Sequence, residues 1–421
     1  MLIEFNVSNF LSIRGQASLS MVAAKGLELA NKNTFLTDVP AIPRILKSAA
    51  IYGANAAGKS NFIKALQLMR WLVLQSSVKI QADEKLPITP FLLDEESSLR
   101  PSEFEVTFIS QGIRYQYGFS ATAKRIIEEW LLAYPSGKAQ RWIERRYDEQ
   151  SQSYRWGGMG NLTGKKELWK VTTRPNALFL STAMQLNNQQ LKPVFSWFTN
   201  TLHVVGFDRW NQKFTKNVCR NDNTKKQVTT FLKAADVNID DIELEEKFNP
   251  QNLPDDMPEE LKRHLEEEFK IQVKTIHTLK TGKKIIFDLD DESDGTQKIF
   301  ALAGPWLDTL ENGYTLVIDE LHDNLHPLMV KFLVGLFHNL ETNPKNAQLI
   351  FTTHDTSILN QEVFRRDQIW FCEKDTHQAT TVYPLTDFSP RKGVENLERG
   401  YLSGRYGALP YLTGIKAAME S

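Results

Sequence analysis

The sequence predicts an α/β protein with a mixed or parallel sheet at its core, an antiparallel β subdomain and a mostly helical insertion. The first observation is a short apolar run, Ala49–Tyr52, which precedes a Gly-rich turn and a stretch with apolar residues at helical spacing. The second is the alternation of apolar and polar residues within 100–157, with a hairpin turn at Gln111-Gly112. The third is the alternation of apolar strands and helices from residue 284 onward, which is typical of a parallel sheet covered on both faces.

Length and composition narrow the class of protein. A chain of 421 residues indicates two or three structural units, and 41% hydrophobic with 24% charged residues excludes a collagen-like or disordered chain. The 50 Lys and Arg residues balance 51 Asp and Glu residues, so the net charge of −1 indicates neither nucleic acid nor a membrane as the partner. The two cysteines, Cys219 and Cys372, cannot form a disulfide framework, and no signal peptide or membrane span is evident, so we expect a cytoplasmic protein.

Changes in pattern along the chain predict four segments. They are an N-terminal lobe with the Gly-rich loop and the antiparallel β subdomain (1–182), a helical insertion (183–283), a C-terminal lobe (284–395) and a tail that packs on the lobes (396–421). Within the C-terminal lobe we predict strands at Ile285–Phe287, Tyr314–Ile318, Gln348–Thr352 and Gln368–Cys372, and helices at 294–310 and 327–340.

The insertion carries its charge unevenly. Residues 209–226 are basic, 236–246 are acidic and 259–270 form a mixed-charge helix candidate. Such runs are typical of solvated helix faces, and the alternative is an inserted arm that contacts a partner.

The Gly-rich turn matches the whole P-loop pattern and continues into Asn61, in the order Gly53, Ala54, Asn55, Ala56, Ala57, Gly58, Lys59, Ser60. Gly53 and Gly58 allow turns that face successive N–H groups toward a phosphate, and the helix N-terminus favours an anion there. Lys59 would contact the β and γ phosphates of ATP, and the Ser60 hydroxyl would bind Mg²⁺. The alternative is a chance Gly-rich turn between a strand and a helix.

Two carboxylates follow the apolar run Tyr314–Ile318. Asp319 and Glu320 stand at the end of a buried strand, where ligands bind in open α/β sheets. Asp319 would hold Mg²⁺ directly or through water, and Glu320 would polarise the attacking water as the general base. Acid pairs also end strands at ordinary surfaces, but the accompanying P-loop favours the functional interpretation.

Two further positions are candidates for contacts with phosphate. His354 follows the apolar strand Leu349–Thr353 and would reach a γ-phosphate as a switch residue, although a single His is more often a structural hydrogen-bonding residue. Ser293 and Gly295 precede a predicted helix and could bind an anion at its N-terminus. The alternative is a Ser helix cap followed by a flexible Gly.

The order of these motifs resembles the ABC-type ATPase heads of the SMC and DNA-repair group. It resembles more closely the OLD-like bacterial ATPases of anti-phage systems, such as those of the PARIS, Septu and RloA types. The segments that carry the resemblance are Ile51–Asn61, Glu292–Thr296, Ile318–Leu321, Leu325–Pro327, Thr352–Asp355 and Tyr401–Pro410. Glu292 and Asp294 depart from the usual Leu-Ser-Gly-Gly signature of these heads.

The resemblance implies a mode of assembly. Two ABC-type heads would pair head to tail as a homo-oligomer, and Ser293 and Gly295 of one head would contact the γ-phosphate of ATP held by the other. Asp323 and Asn324 would lie in the loop that faces the other head.

The resemblance also implies a function and a partner. After His354 only 67 residues remain (421 − 354), fewer than a Toprim nuclease domain needs, so we expect a separate nuclease-like effector of Toprim or HNH type. We therefore predict an ATP-hydrolysing regulatory or sensor subunit of a bacterial anti-phage defence system. The alternatives are a DNA-engaging ATPase of the repair class and a nucleotide-dependent scaffold with little turnover.

Overall fold

The computed structural model describes residues 1–26, 28–39, 42–205, 212–246, 257, 262 and 271–410. The chain divides into two units: the first comprises Met1–Gly206, Gly313–Leu321 and Leu333–Ser421, and the second comprises Phe207–Asn312 and His322–Phe332. The strands are β1 Leu2–Ser8, β2 Ala17–Ser20, β3 Thr34–Leu36, β4 Arg44–Leu46, β5 Ser48–Tyr52, β6 Ser102–Ser110, β7 Ile113–Ala121, β8 Ile126–Tyr134, β9 Gln140–Asp148, β10 Ser153–Trp156, β11 Leu202–Val205, β12 Asp241–Glu246, β13 Ile271–Thr278, β14 Lys284–Asp288, β15 Thr315–Ile318, β16 Gln348–Thr353, β17 Ile369–Lys374 and β18 Thr380–Pro384. The α-helices are Ala30–Asn33, Lys59–Gln75, Glu95–Leu99, Lys166–Thr172, Phe179–Gln185, Lys192–Ser196, Lys213–Val218, Asp222–Ala234, Asp294–Asn312, Pro327–His338 and Leu397–Leu402.

The first unit contains the mixed sheet that the sequence predicts. Its strand order is β11-β15-β16-β5-β17-β18, and every neighbouring pair is parallel except β17 and β18. All residues of β5, β15 and β16 are buried, which explains why these strands appear in the sequence as continuous apolar runs. The sheet confirms the α/β fold class.

The antiparallel β subdomain also lies in the first unit. It is a seven-stranded sheet in the order β10-β9-β8-β7-β6-β1-β2, and it therefore includes the first strand of the chain as well as 100–157. Buried aromatic side chains such as Phe5 and Phe104 alternate with polar residues along its strands. The helix Lys59–Gln75 packs on this sheet, with the rings of Phe5 and Phe62 5.3 Å apart.

The second unit corrects part of the predicted insertion. Its three-stranded antiparallel sheet has the order β12-β13-β14, so Asp241–Glu246 and Ile271–Thr278 are strands where we predicted mostly helix. Apolar and polar residues alternate with period two through 241–245 and 271–274, a signal less prominent in the sequence than the runs of charge. The strand at Ile285–Phe287 pairs with β13 and does not belong to the parallel sheet.

Two helices lie at positions where the sequence predicts them. Asp294–Asn312 and Pro327–His338 confirm the helices predicted at 294–310 and 327–340. The mixed-charge helix candidate at 259–270 lies outside the described residues except for residue 262. Within the described part of the chain, no helix has the length and apolar character needed to cross a membrane.

Candidate functional site

Three neighbouring strands of the mixed sheet end at the same edge. The P-loop follows β5, Asp319 and Glu320 follow β15, and His354 follows β16, which lies between the other two. Within the sheet, Thr353 of β16 lies beside the last residue of β5. The last residue of β15 lies beside the β16 residue that precedes Thr353 by two positions. The parallel sheet therefore brings the P-loop, the acid pair and the histidine together, although they are far apart in the sequence.

The backbone of the P-loop explains the need for glycine. Gly58 has φ of +106°, in the left-handed region, and a Cβ atom there would overlap the Thr380 side chain. A Cβ atom at Gly53 would overlap the carbonyl oxygen of Cys372. Asn55 and Ala56 form the exposed tip of the loop, and Ala56 also has a positive φ of 62°.

Lys59 begins the helix that follows the loop. Its side chain is buried, and its Nζ donates hydrogen bonds to the carbonyl oxygens of Gly53 at 2.9 Å and Ala54 at 3.0 Å. Burial lowers the pKa of Lys59, and the neighbouring Cys372, Glu320 and Asp319 oppose that shift. The ammonium group thus lies inside the loop, close to the acid pair.

Thr352 on β16 fixes both carboxylate residues. Its hydroxyl donates to Oδ1 of Asp319 at 2.6 Å and accepts the backbone N–H of Glu320 at 2.8 Å. Asp319 is 4% exposed, and Glu320 has a positive φ of 52°, which is uncommon for a residue other than glycine. A tight turn at the end of β15 therefore holds the two acids in place. The role of Thr352 was not predicted, although a polar residue near the end of an apolar strand is a signal for one.

His354 is exposed at the end of β16, and the residues after it are anchored. The Asp355 N–H donates to Thr353 Oγ1 at 3.0 Å, and Thr356 Oγ1 donates to Oε1 of Glu398 at 2.8 Å. Glu398 belongs to the helix Leu397–Leu402 of the C-terminal tail. The tail therefore supports the loop that carries His354.

Ser293 and Gly295 belong to the second unit and are described within it. Ser293 Oγ accepts the Thr296 N–H at 3.2 Å, so Ser293 caps the helix Asp294–Asn312. A Cβ atom at Gly295 would lie 3.5 Å from the carbonyl oxygen of Asn324, an ordinary contact distance. The fold of this unit therefore accounts for the serine but does not require a glycine at 295.

Glu292, the first departure from the usual signature, is held from β13. Its Oε1 accepts hydrogen bonds from Thr275 Oγ1 at 2.6 Å and from His277 Nε2 at 2.7 Å. In the loop at 322–326, the Lys298 Nζ donates to the Asp323 carbonyl oxygen and lies 3.7 Å from its carboxylate. Side chains of this unit thus fix both the 292–296 turn and the neighbouring loop.

Known proteins match the chain at the level of family and of solved structure. Residues 48–360, more than half of the chain, match the family described as "AAA domain, putative AbiEii toxin, Type IV TA system". The SMC head domain from Thermotoga maritima is 13% identical with a TM-score of 0.40, over 91% of this chain and 98% of that chain. An Smc head domain with an extended coiled coil, bound to the C-terminal domain of ScpA derived from Pyrococcus furiosus, is 12% identical with a TM-score of 0.41, over 92% of this chain and 97% of that chain. No curated protein matches the chain.

Proposed function

The chain belongs to this AAA-domain family of P-loop ATPases, and we propose that it hydrolyses ATP as the regulatory or sensor subunit of a bacterial anti-phage defence system. One observation carries the ATPase part of the proposal. Three adjacent strand ends bring Lys59, the Asp319-Glu320 pair and His354 to one edge of the mixed sheet. These are a cation, a pair of acids and an exposed histidine, which together suit phosphoryl transfer to water.

The donor atoms at this edge fit Mg²⁺ as the metal. The Ser60 hydroxyl and the Asp319 carboxylate are hard oxygen ligands, which Mg²⁺ prefers, and Ser60 directly follows Lys59. When bound, Mg²⁺ would neutralise negative charge on the phosphate oxygens of ATP. The hydrogen bond from Thr352 to Oδ1 of Asp319 orients the carboxylate and leaves its other oxygen for the metal or its water.

The Lys59 side chain and the backbone of the loop would hold the phosphates. An ammonium group has three hydrogens, and two of those on Lys59 Nζ are donated to carbonyl oxygens of its own loop. The third is left for a phosphate oxygen. Backbone N–H groups between Gly53 and Asn61 supply further donors at the positive end of the helix, apart from that of Ala57, which donates to the Ala54 carbonyl oxygen at 3.2 Å.

Glu320 and His354 would act on the terminal phosphate and the attacking water. The Glu320 carboxylate would polarise the water and accept its proton. The hydroxyl of Thr352 accepts the backbone N–H of Glu320 and so holds this residue in place. His354 would donate a hydrogen bond to a γ-phosphate oxygen. The anchored loop that carries it, tied to Glu398, limits the motion of the imidazole.

Head-to-tail pairing of two copies forms part of the proposal. Ser293 and Gly295 of one copy would approach the γ-phosphate held by the other copy. The space around Gly295 supports this assignment, since nothing within the second unit demands glycine at that position. A side chain there would instead obstruct a group that approaches from outside the chain.

Hydrolysis is tested by Glu320→Gln, which removes the proposed base and keeps the shape of the side chain. We expect the variant to retain bound ATP and to lose about 100- to 10,000-fold in turnover. Glu341→Gln, at an exposed position of the same unit, is the matched control and should turn over ATP like the wild type. A Glu320→Gln protein with wild-type turnover would contradict the assignment and favour a scaffold.

The regulatory role is tested by co-purification with the product of a neighbouring reading frame. We propose a separate nuclease-like effector of Toprim or HNH type, docked through the unevenly charged stretches between 209 and 270. A stable complex whose mass changes with ATP would support the proposal. A monomer that does not bind this product would contradict the proposed regulatory role. Salt-sensitive DNA binding by the paired heads would favour the DNA-engaging alternative.

A further inference from the structure

We infer that Ser12 and Thr380 are positioning residues for the P-loop. They complete a chain of side-chain hydrogen bonds, here named the hydroxyl chain, from Asn61 through Ser12 and Thr380 to the carbonyl oxygen of Ala57. The inference deepens the proposed ATPase function and rests on it for its effect on nucleotide binding. Neither Ser12 nor Thr380 belongs to the P-loop pattern.

The direction of every bond in the hydroxyl chain is determined. Thr380 Oγ1 lies 2.9 Å from the Ala57 carbonyl oxygen, and a carbonyl oxygen only accepts, so the Thr380 hydroxyl donates there. Ser12 Oγ, 2.8 Å from Thr380 Oγ1, must therefore donate to it. Asn61 Nδ2 then donates to Ser12 Oγ at 2.8 Å. Each hydroxyl is thus both a donor and an acceptor, which gives the chain one consistent arrangement.

Contacts of other kinds hold the same residues together. The Thr380 N–H donates to the Ser12 carbonyl oxygen at 2.7 Å, and Thr380 is buried on β18. Cys372 Sγ, on the neighbouring strand β17, lies 3.4 Å from the Ala57 carbonyl oxygen and donates a second, weaker bond to it. A Cβ atom at Gly58 would overlap the Thr380 side chain and would lie 2.9 Å from Ser12 Oγ. Strand β18 and the 9–14 segment therefore pack directly against the loop.

The hydroxyl chain has a consequence for phosphate binding. In a trans peptide the C=O and N–H bonds point in opposite directions. Because the carbonyl oxygen of Ala57 is held toward β17 and β18, the N–H of Gly58 must point away from these strands. The bond from Asn61 fixes the first turn of the helix at the same time. Donors that are oriented before a phosphate arrives need no reorganisation when it binds.

The test removes one hydroxyl and keeps the shape. In Thr380→Val we expect the KM for ATP, and the Kd for a non-hydrolysable ATP analogue, to rise about 5- to 30-fold, the effect of one buried hydrogen bond, with a smaller change in kcat. Thr380→Ser keeps the hydroxyl and should restore most of the affinity. The matched control is Thr381→Val, on the exposed face of the same strand, which should bind like the wild type. Ser12→Ala interrupts the same chain and should act in the same direction as Thr380→Val.

Hydrogen exchange on the ligand-free protein separates this inference from the proposed function. Amides of residues 53–61 should exchange faster in Thr380→Val and Ser12→Ala than in the wild type and in Thr381→Val. Unchanged amide exchange at these residues would overturn the inference, whether or not the protein binds ATP. Wild-type ATP affinity in both variants would also overturn it. If the wild-type protein neither binds nor hydrolyses ATP, the proposed function fails, while the exchange result still decides on the hydroxyl chain.

Discussion

The P-loop of the first unit and the 292–296 turn of the second unit both place a glycine near the N-terminus of a helix, but for different reasons. Gly58 has φ of +106° and lies against Thr380, so the chain itself requires a glycine there. Gly295 lies outside the positive-φ region, and a Cβ atom there would make only ordinary contacts. The difference teaches that the first glycine is needed for the fold, and that the second would be needed only by a molecule outside the chain.

The two regions are also anchored by different chemistry. Neutral hydroxyl groups and the Asn61 amide hold the P-loop. A carboxylate, Glu292, holds the turn to Thr275 and His277 on β13. Apart from Lys59, which donates to the Gly53 and Ala54 carbonyl oxygens, the P-loop is thus held by uncharged groups, so Lys59 is the charge that an anion would meet inside the loop.

Among the changes that compare these two regions, removal of the charge inside the P-loop should have the largest effect. We expect Lys59→Ala to lower ATP turnover by about 100- to 1,000-fold, because a buried cation that would contact the transferred phosphoryl group is lost. Steady-state phosphate release measures the effect. Lys345→Ala, at an exposed position of the same unit, serves as the control. Hydrolysis that survives Lys59→Ala would show that the site has been assigned to the wrong residues.

The next test compares alanine at the two glycines. Gly58→Ala should lower the free energy of unfolding by about 1–3 kcal/mol, because of its positive φ and the overlap with Thr380, and should reduce ATP binding as well. Gly295→Ala should leave the free energy of unfolding unchanged, or raise it by up to about 1 kcal/mol, since alanine favours a helix. It should nevertheless reduce ATP turnover and ATP-dependent pairing of copies.

Denaturant unfolding and turnover measured on both glycine variants decide the matter. The proposed difference between the two glycines would be wrong if Gly295→Ala unfolds the second unit, or if this variant has wild-type turnover and pairing. The first result would place the need for glycine inside the chain. The second would remove the proposed approach of this turn to another copy.

The next change, at the anchor of the 292–296 turn, is expected to affect stability alone. Glu292→Leu, which introduces the residue usual in ABC-type signatures, should lower the free energy of unfolding by about 1–3 kcal/mol, because the buried Thr275 hydroxyl loses its acceptor. Glu292→Gln keeps an acceptor oxygen and should be milder. Equal stability of Glu292→Leu and the wild type would mean that this carboxylate does not anchor the turn.

The smallest effect concerns the stability of the first unit in acid. His338 is buried, its Nε2 lies 2.8 Å from Ser48 Oγ, and burial together with the charge of Lys47 lowers its pKa from 6.5 to about 3. The unfolded chain therefore binds a proton that the folded chain does not, so stability is complete above about pH 6.5 and falls as the pH drops below that value. The expected slope is up to about 1.4 kcal/mol per pH unit.

Unfolding of the wild type and of His338→Gln between pH 7 and pH 5 measures this slope, since few carboxylates titrate there. The variant should lose the part of the slope that belongs to His338. Identical slopes in the two proteins would exclude a neutral, buried His338 as the cause.

Local pattern predicted the parts of the site that are contiguous in the sequence. The P-loop from Gly53 to Ser60 and the acids after β15 could be proposed from the sequence because their spacing reflects the backbone conformation they need. The strands β12 and β13 were not predicted, because their alternation of period two is short and lies beside long runs of charge. The partners Thr352, Thr275 and His277 were assigned no role, since nothing adjacent in the sequence indicates what they contact.

The sequence by itself therefore determined the order of strand, loop and helix, the charge at Lys59 and the acids that follow β15, because local spacing encodes local geometry. Only the tertiary structure decided which distant groups support them. Ser12 and Thr380 are 368 positions apart, yet they are bonded to each other beneath the P-loop. Hydrogen bonds depend on distances of about 3 Å in space, and the sheet order β16-β5-β17-β18, which creates those distances, is a property of the folded chain.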